Sequence, residues 1–255
     1  MPAPIPPSMP LTPQRCADAI TEHSRGLADA VIAGDLRARV AHCPDWNVAD
    51  LVWHVTGVHW FWHTIASERL SEPPAEERRP IRPPDDRLVS RFRAGAEAIA
   101  ETLATADQSA PCWTWFPPQQ DVAFVTRHQV QEAVVHHFDA ADAIGQSIDI
   151  AADIAVDCVE EFLTTSLADA DDVAALRETK GLALDGELVL HATDVDRSWT
   201  VFDQPGSGLL WRPGGDAPAV SGTAADLLLW IYGRTELPEQ QPELIERFRR
   251  MSSTD

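Results

Sequence analysis

Lysine is almost missing from this chain. Among 255 residues Lys180 is the only one, and arginine supplies the rest of 20 basic side chains set against 40 acidic ones. The resulting formal charge of −20 at pH 7 repels phosphate backbones and anionic lipid heads, so nucleic acid and membrane surfaces make poor partners. Long apolar runs are missing too: none approaches the roughly 20 residues that a helix needs to span a bilayer. The 4 cysteines, Cys16, Cys43, Cys112 and Cys158, form no CxxC pair and no zinc-ribbon spacing. They read as reduced thiols packed as small hydrophobes, which leaves metal binding to other side chains. The opening "MPAPIPPSMPLTPQR" holds neither an apolar signal core nor an early basic cluster, so residues 1–11 read as a disordered leader and a cytoplasmic location is expected.

What is present suffices for a globular protein with ample core, at 44% hydrophobic residues. Apolar positions at helical spacing predict a first helix over "RCADAITEHSRGLADAVIA" and a second over "DWNVADLVWHVTGVHWFWHTIASERL". Asn47 is placed to cap the second, with Asp50 favouring its dipole. The Pro-rich "SEPPAEERRPIRPPDD" is a loop, a third helix covers residues 87–105, and a fourth covers residues 122–144, stopped by Gly145. A fifth helix follows in "AADIAVDCVEEFLTTSLA". Near residue 175 the period changes: "GLALDGELVLHATD", "RSWTVFDQPGSGLLWRPG" and "PAVSGT" read as strands, "AADLLLWIYGR" and "PELIERFRR" as helices. The fold class is therefore mainly α with a small α+β part. A helical bundle occupies residues 12–170 and a small α/β domain residues 176–255.

Three of the 9 histidines fall in "RHQVQEAVVHHFDA". On a helix, His128, Glu132 and His136 follow at i, i+4 and i+8 and drift by only about 40° per step. A carboxylate and an imidazole one turn apart can reach a single metal ion. The flanking Val130, Ala133, Val134 and Val135 make the segment apolar enough to be packed, and a buried glutamate needs a cation beside it. His137 lies about 100° from His136 and is expected at the surface or against a loop. A third ligand has to come from another helix, and the second helix offers His54, His59 and His63. His59 and His63 are themselves i, i+4 and could form a pair of their own, while His54 and His59 lie about 140° apart and cannot share a site. Spacing leaves both choices open.

"DWNVADLVWHVTGVHWFW", "RHQVQEAVVHHFDAADA", "HATDVDRSWTVF" and "VSGTAADLLLWIYGR" resemble, in that order, four segments of the mycothiol-dependent maleylpyruvate isomerase family. The resemblance implies a DinB-like four-helix bundle joined to a small sterol-carrier-like α/β domain. It also implies a divalent-metal site, usually zinc, built from His54, Glu132 and His136, with His59, His63 and His128 outside it. Arg234 in "WIYGR" matches an arginine that the family associates with activity, and its guanidinium is suited to pair with a carboxylate of the substrate or of the thiol. His137 and Phe138 depart from the family's more usual Arg-Trp, so the substrate here is expected to differ if that arginine orients it.

Three protein ligands leave a coordination position open, the arrangement of a catalytic zinc. The resemblance fills it with mycothiol as thiol cosubstrate, deprotonated by the metal. Addition to a small-molecule electrophile, rotation and loss of the thiol gives a maleylpyruvate-type cis-trans isomerase, and addition without loss gives a thiol S-transferase. Water in the same position makes a hydrolase, with Asp139 or His128 as candidate base, and a non-catalytic binding protein on the same fold is a further alternative. Trp113 and Trp115, in a Pro-flanked loop, are candidates for the mouth of the pocket. A monomer or homodimer is expected.

Overall fold

The computed structural model describes residues 11–252, so the leader expected over residues 1–11 lies, Leu11 apart, outside the described residues. Two compact units divide the chain between Ile150 and Ala151. No helix among the described residues is long and apolar enough to cross a membrane.

The first unit, Leu11–Ile150, holds α1 (Pro13–Ala33), α2 (Val48–Glu68), α3 (Leu88–Thr105) and α4 (Val122–Asp142). Local sequence starts these helices. At α2 the Asn47 side chain accepts from the Asp50 N–H at 3.0 Å while the Asp50 carboxylate accepts from the Asn47 N–H at 3.2 Å. Two backbone donors that a helix start leaves orphaned are thereby satisfied. Asp121 caps α4 in the same way by accepting from the Phe124 N–H. α1 and α2 each pack against both α3 and α4. Leu27, Leu51, Val52, Val55, Leu88 and Phe92 form the centre of this core, each burial contributing about 1.5–3 kcal/mol. α2 and α4 run in opposite directions, since His54 meets His136 (ring centroids 4.9 Å apart) near one end and Trp62 meets His128 (5.6 Å) near the other.

His137 is half-buried against α1 rather than open to solvent or against a loop. Its Nδ1 lies 3.0 Å from Nδ1 of His23, one imidazole donating and the other accepting, and its ring fills the space over Gly26. A Cβ at position 26 would sit 2.2 Å from that ring. The 100° turn from His136 therefore carries His137 onto α1 rather than into solvent.

His23 is buried, and burial, helped by the charge of Arg15, lowers its pKa to about 4. The folded protein thus refuses a proton that the unfolded chain accepts near pH 6.5. Stability is full above that value and falls as the pH drops from about 6.5 to 4, by roughly 2–3 kcal/mol for this group. Urea unfolding at pH 7 and pH 4.5 should show His23→Gln losing about 2 kcal/mol less than wild type across that interval. Equal losses would refute the assignment.

The second unit runs from Ala151 onward and contains α5 (Ala152–Thr165), α6 (Ala170–Lys180), β1 (Glu187–Ala192), β2 (Arg197–Gln204), β3 (Gly208–Pro213), β4 (Val220–Gly222), α7 (Ala224–Ile231) and α8 (Pro242–Arg250). The sheet order is β3-β2-β1-β4, antiparallel except that β4 pairs parallel with β1. Register places Leu188 opposite Val201 and Leu190 opposite Trp199, all four fully buried. α5 packs on α7 and β3. In α5 the Glu160 carboxylate accepts from Arg197 Nε (3.1 Å) and Nη2 (2.5 Å) and from Trp199 Nε1 (3.0 Å).

The sequence reading differs from this unit in two places. The bundle ends at Ile150 rather than at residue 170, because the fifth helix packs with the sheet. α6, absent from that reading, fills the stretch between the fifth helix and the expected strand at Gly181. It is capped by Asp169, which accepts from the N–H groups of Asp171 and Asp172, but buries only Val173 and so shows no apolar stripe.

Candidate metal centre

One position on α2 and two on α4 converge. His54, Glu132 and His136 each offer a ligand atom, and these three atoms all lie within 4.8 Å of one another. Of the histidines that spacing left open on α2, His54 is the one that shares this point with Glu132 and His136. The group is the only one of its kind among the described residues, and neither His59, His63 nor any cysteine belongs to it. His136 Nδ1 lies 3.0 Å from Asp139 Oδ2. A carboxylate only accepts, so the nitrogen facing it carries the proton, and Nε2 is turned toward Glu132 Oε2 at 3.4 Å. Asp139 is 1% exposed; it is a buried partner of His136 rather than a solvated charge.

The electrostatics suit a cation. Burial, with the neighbouring His136 charge, lowers His54 to about 4, so its imidazole is neutral and has a lone pair to give. Burial pushes Glu132 toward its neutral form, but the His136 imidazolium, with His128 and His54 around it, holds it below the usual carboxylate range. Burial likewise opposes charge on His136, yet Asp139 and Glu132 together raise its pKa. In the metal-free protein the His136 imidazolium and the Glu132 carboxylate therefore offset one another's charge.

Around this group lies an aromatic wall. Trp46 is 4.6 Å from His54 and 6.4 Å from His136, centroid to centroid. On the other side His128 Nε2 is 3.6 Å from Glu132 Oε1. Its ring stacks on Phe124 at 5.8 Å and meets Trp62 and Trp115 edge-on at 5.6 and 5.8 Å. Trp113 stacks on Trp62 at 6.1 Å. Trp113 and Trp115 thus join one wall that reaches Glu132 through His128, with Trp115 36% exposed at its edge. A groove of about 740 Å³ between α1 and α3, floored by Ala17, Ala96 and Ala100, contains none of these residues. Cys112, in the loop that carries Trp113, is pushed up to about 11 by burial and by Asp121, which makes it a poor nucleophile.

The family model for the mycothiol maleylpyruvate isomerase N-terminal domain matches residues 17–141, and the model for the MDMPI C-terminal domain matches residues 153–244. The chain belongs to the mycothiol maleylpyruvate isomerase family. No curated protein and no solved structure matches it. The junction between the family's two domains brackets the division of the chain at residues 150 and 151. All three donors lie within the family's N-terminal domain, whereas Arg234 lies in its C-terminal domain, just past the end of α7. There Arg234 Nη1 donates to the Tyr232 carbonyl at 2.7 Å, and Gly233 takes the left-handed turn (φ 70°) that sets the segment's direction.

Proposed function

We propose that this chain is a divalent-metal-dependent enzyme that activates mycothiol for attack on a small electrophile, as a maleylpyruvate-type cis-trans isomerase or a thiol S-transferase. The observation that carries the reading is the meeting of His54, Glu132 and His136 in a chain of this family. Two imidazoles and one carboxylate are the donor types of a catalytic zinc site and leave a position for a ligand from outside. The Glu132 carboxylate lies 3.4 Å from His136 Nε2 and 3.6 Å from His128 Nε2, a buried meeting of oxygen and nitrogen donors that suits a cation. A zinc-class ion bound there deprotonates a coordinated thiol and so supplies a sulfur nucleophile at neutral pH.

The chain's own residues supply the rest. Asp139 holds His136 in the tautomer that presents Nε2. Trp62, Trp115, Phe124 and His128 give an aromatic wall that offers apolar contact to a conjugated molecule and keeps water off it. Arg234 is assigned to a substrate or thiol carboxylate, to which a guanidinium offers two parallel donors.

Incubation of zinc-loaded protein with maleylpyruvate and mycothiol separates the outcomes. Isomerisation without loss of thiol is expected for the isomerase. One thiol consumed per electrophile is expected for the transferase. Turnover without any thiol would replace the reading by a zinc-water hydrolase, and zinc-loaded protein inert toward every electrophile would leave a binding protein.

A further inference from the structure

The middle of the bundle contains polar side chains that the metal reading does not use. Both ring nitrogens of His59 and both amide atoms of Gln129 are buried without a hydrogen bond, as is Glu132 Oε2. His59 and Gln129 are each 0% exposed. Groups with this much hydrogen-bonding capacity are not left unpaired in a folded interior without cost.

Their heights along the bundle coincide. With His54 against His136 and Trp62 against His128, position 58 on α2 stands opposite position 132 on α4, which puts His59 at the height of Glu132. Viewed down α4, Gln129 lies about 60° from Glu132 and about 20° from His136, on the same inward stripe. From α3 the His59 ring receives a stacked Phe92 at 5.5 Å, and a Cβ added at Gly95 would lie 3.8 Å from the His59 Cβ. Of the charges that act on the ring, Glu132 is the strongest, ahead of His136 and His54.

We propose that His59 is a positioning residue for the metal ligand Glu132. Its ring N–H, through one ordered water shared with the Gln129 amide, holds Glu132 Oε2, the carboxylate oxygen left without a hydrogen bond. A ligating carboxylate needs a donor on its second oxygen to fix its direction. A neutral imidazole is suited to this place because it donates without adding a charge that would repel the cation. The amide of Gln129 offers both a donor and an acceptor and can close the chain of hydrogen bonds.

The inference rests on the metal reading, so the test has one arm that needs no metal. In metal-free protein, nitrogen-15 NMR should show a His59 ring proton protected from exchange, and its shift should move in Glu132→Gln. An unprotected ring proton, or one indifferent to that change, overturns the proposal whether or not the protein binds metal. The second arm is titration with cobalt(II). His59→Phe, which keeps the stack on Phe92, should weaken cobalt binding about 10–100-fold and alter the visible absorption of the bound ion. His59→Gln, which restores a donor, should recover most of both. Folded His59→Phe with wild-type cobalt affinity and spectrum sinks the proposal. Wild type that binds no cobalt sinks the metal reading instead and leaves the NMR arm to decide whether His59 holds Glu132.

Discussion

Alanine in place of His136 is expected to lower zinc affinity by more than about a hundredfold, because losing a ligand costs more than losing a ligand's partner, itself worth ~10–100-fold. The expectation follows from the shared centre. His136 Nε2 is the nitrogen left over once Nδ1 donates to Asp139, and no other imidazole on α4 belongs to the converging group. His63→Ala is the matched control: His63 lies on the same helix as His54, outside that group, and its loss should leave affinity unchanged. Because His136 in the metal-free protein holds its proton more tightly than a free imidazole, zinc has to displace that proton, and wild-type affinity should weaken as the pH is lowered. Calorimetric titration of the three proteins reads all of this. Full zinc binding by folded His136→Ala would remove the donor set, and with it the proposed chemistry.

The second large effect concerns the other unit. Arg197→Met should destabilise the protein by about 3–5 kcal/mol, the usual result of removing one member of a buried charge pair. Glu160 has a fully buried side chain, while that of Arg197 is 29% exposed, so the loss falls on the carboxylate. It forfeits two donors on one oxygen and keeps the Trp199 N–H. Replacing both members by methionine should cost less than the single change, since no charge is then stranded. Urea denaturation of the two variants checks the order. A single variant within about 0.5 kcal/mol of wild type, the range of an ordinary surface substitution, would show that the pair has no such role.

What could be read from the chain depended on how local each signal was. The start of α2 is written in Asn47 and Asp50, two residues three apart that satisfy one another without outside help. The Glu132 and His136 pair is legible because one helical turn brings it together whatever surrounds the helix. The third ligand was not legible from spacing, because His54 and His59 lie on different sides of α2, and the side that meets α4 is decided by tertiary packing. The resemblance supplied that answer before the geometry did. α5 was recognised as a helix but given to the wrong unit, since an apolar face states that something will cover it and not what. α6 escaped because burial of Val173 alone leaves no period to detect. His137 was sent to solvent by a correct angle, because nothing in its own helix reveals Gly26 across the interface.

That glycine has a consequence for the cation. Adjacent residues 136 and 137 project from α4 toward α2 and α1 respectively, so the helix is clocked between two neighbours like a key with teeth on two edges. The bare backbone at position 26 admits one tooth and thereby sets the rotation at which the other meets His54. The aim of His136 at His54 is governed in part from the far side of α4, by a residue that has no side chain at all.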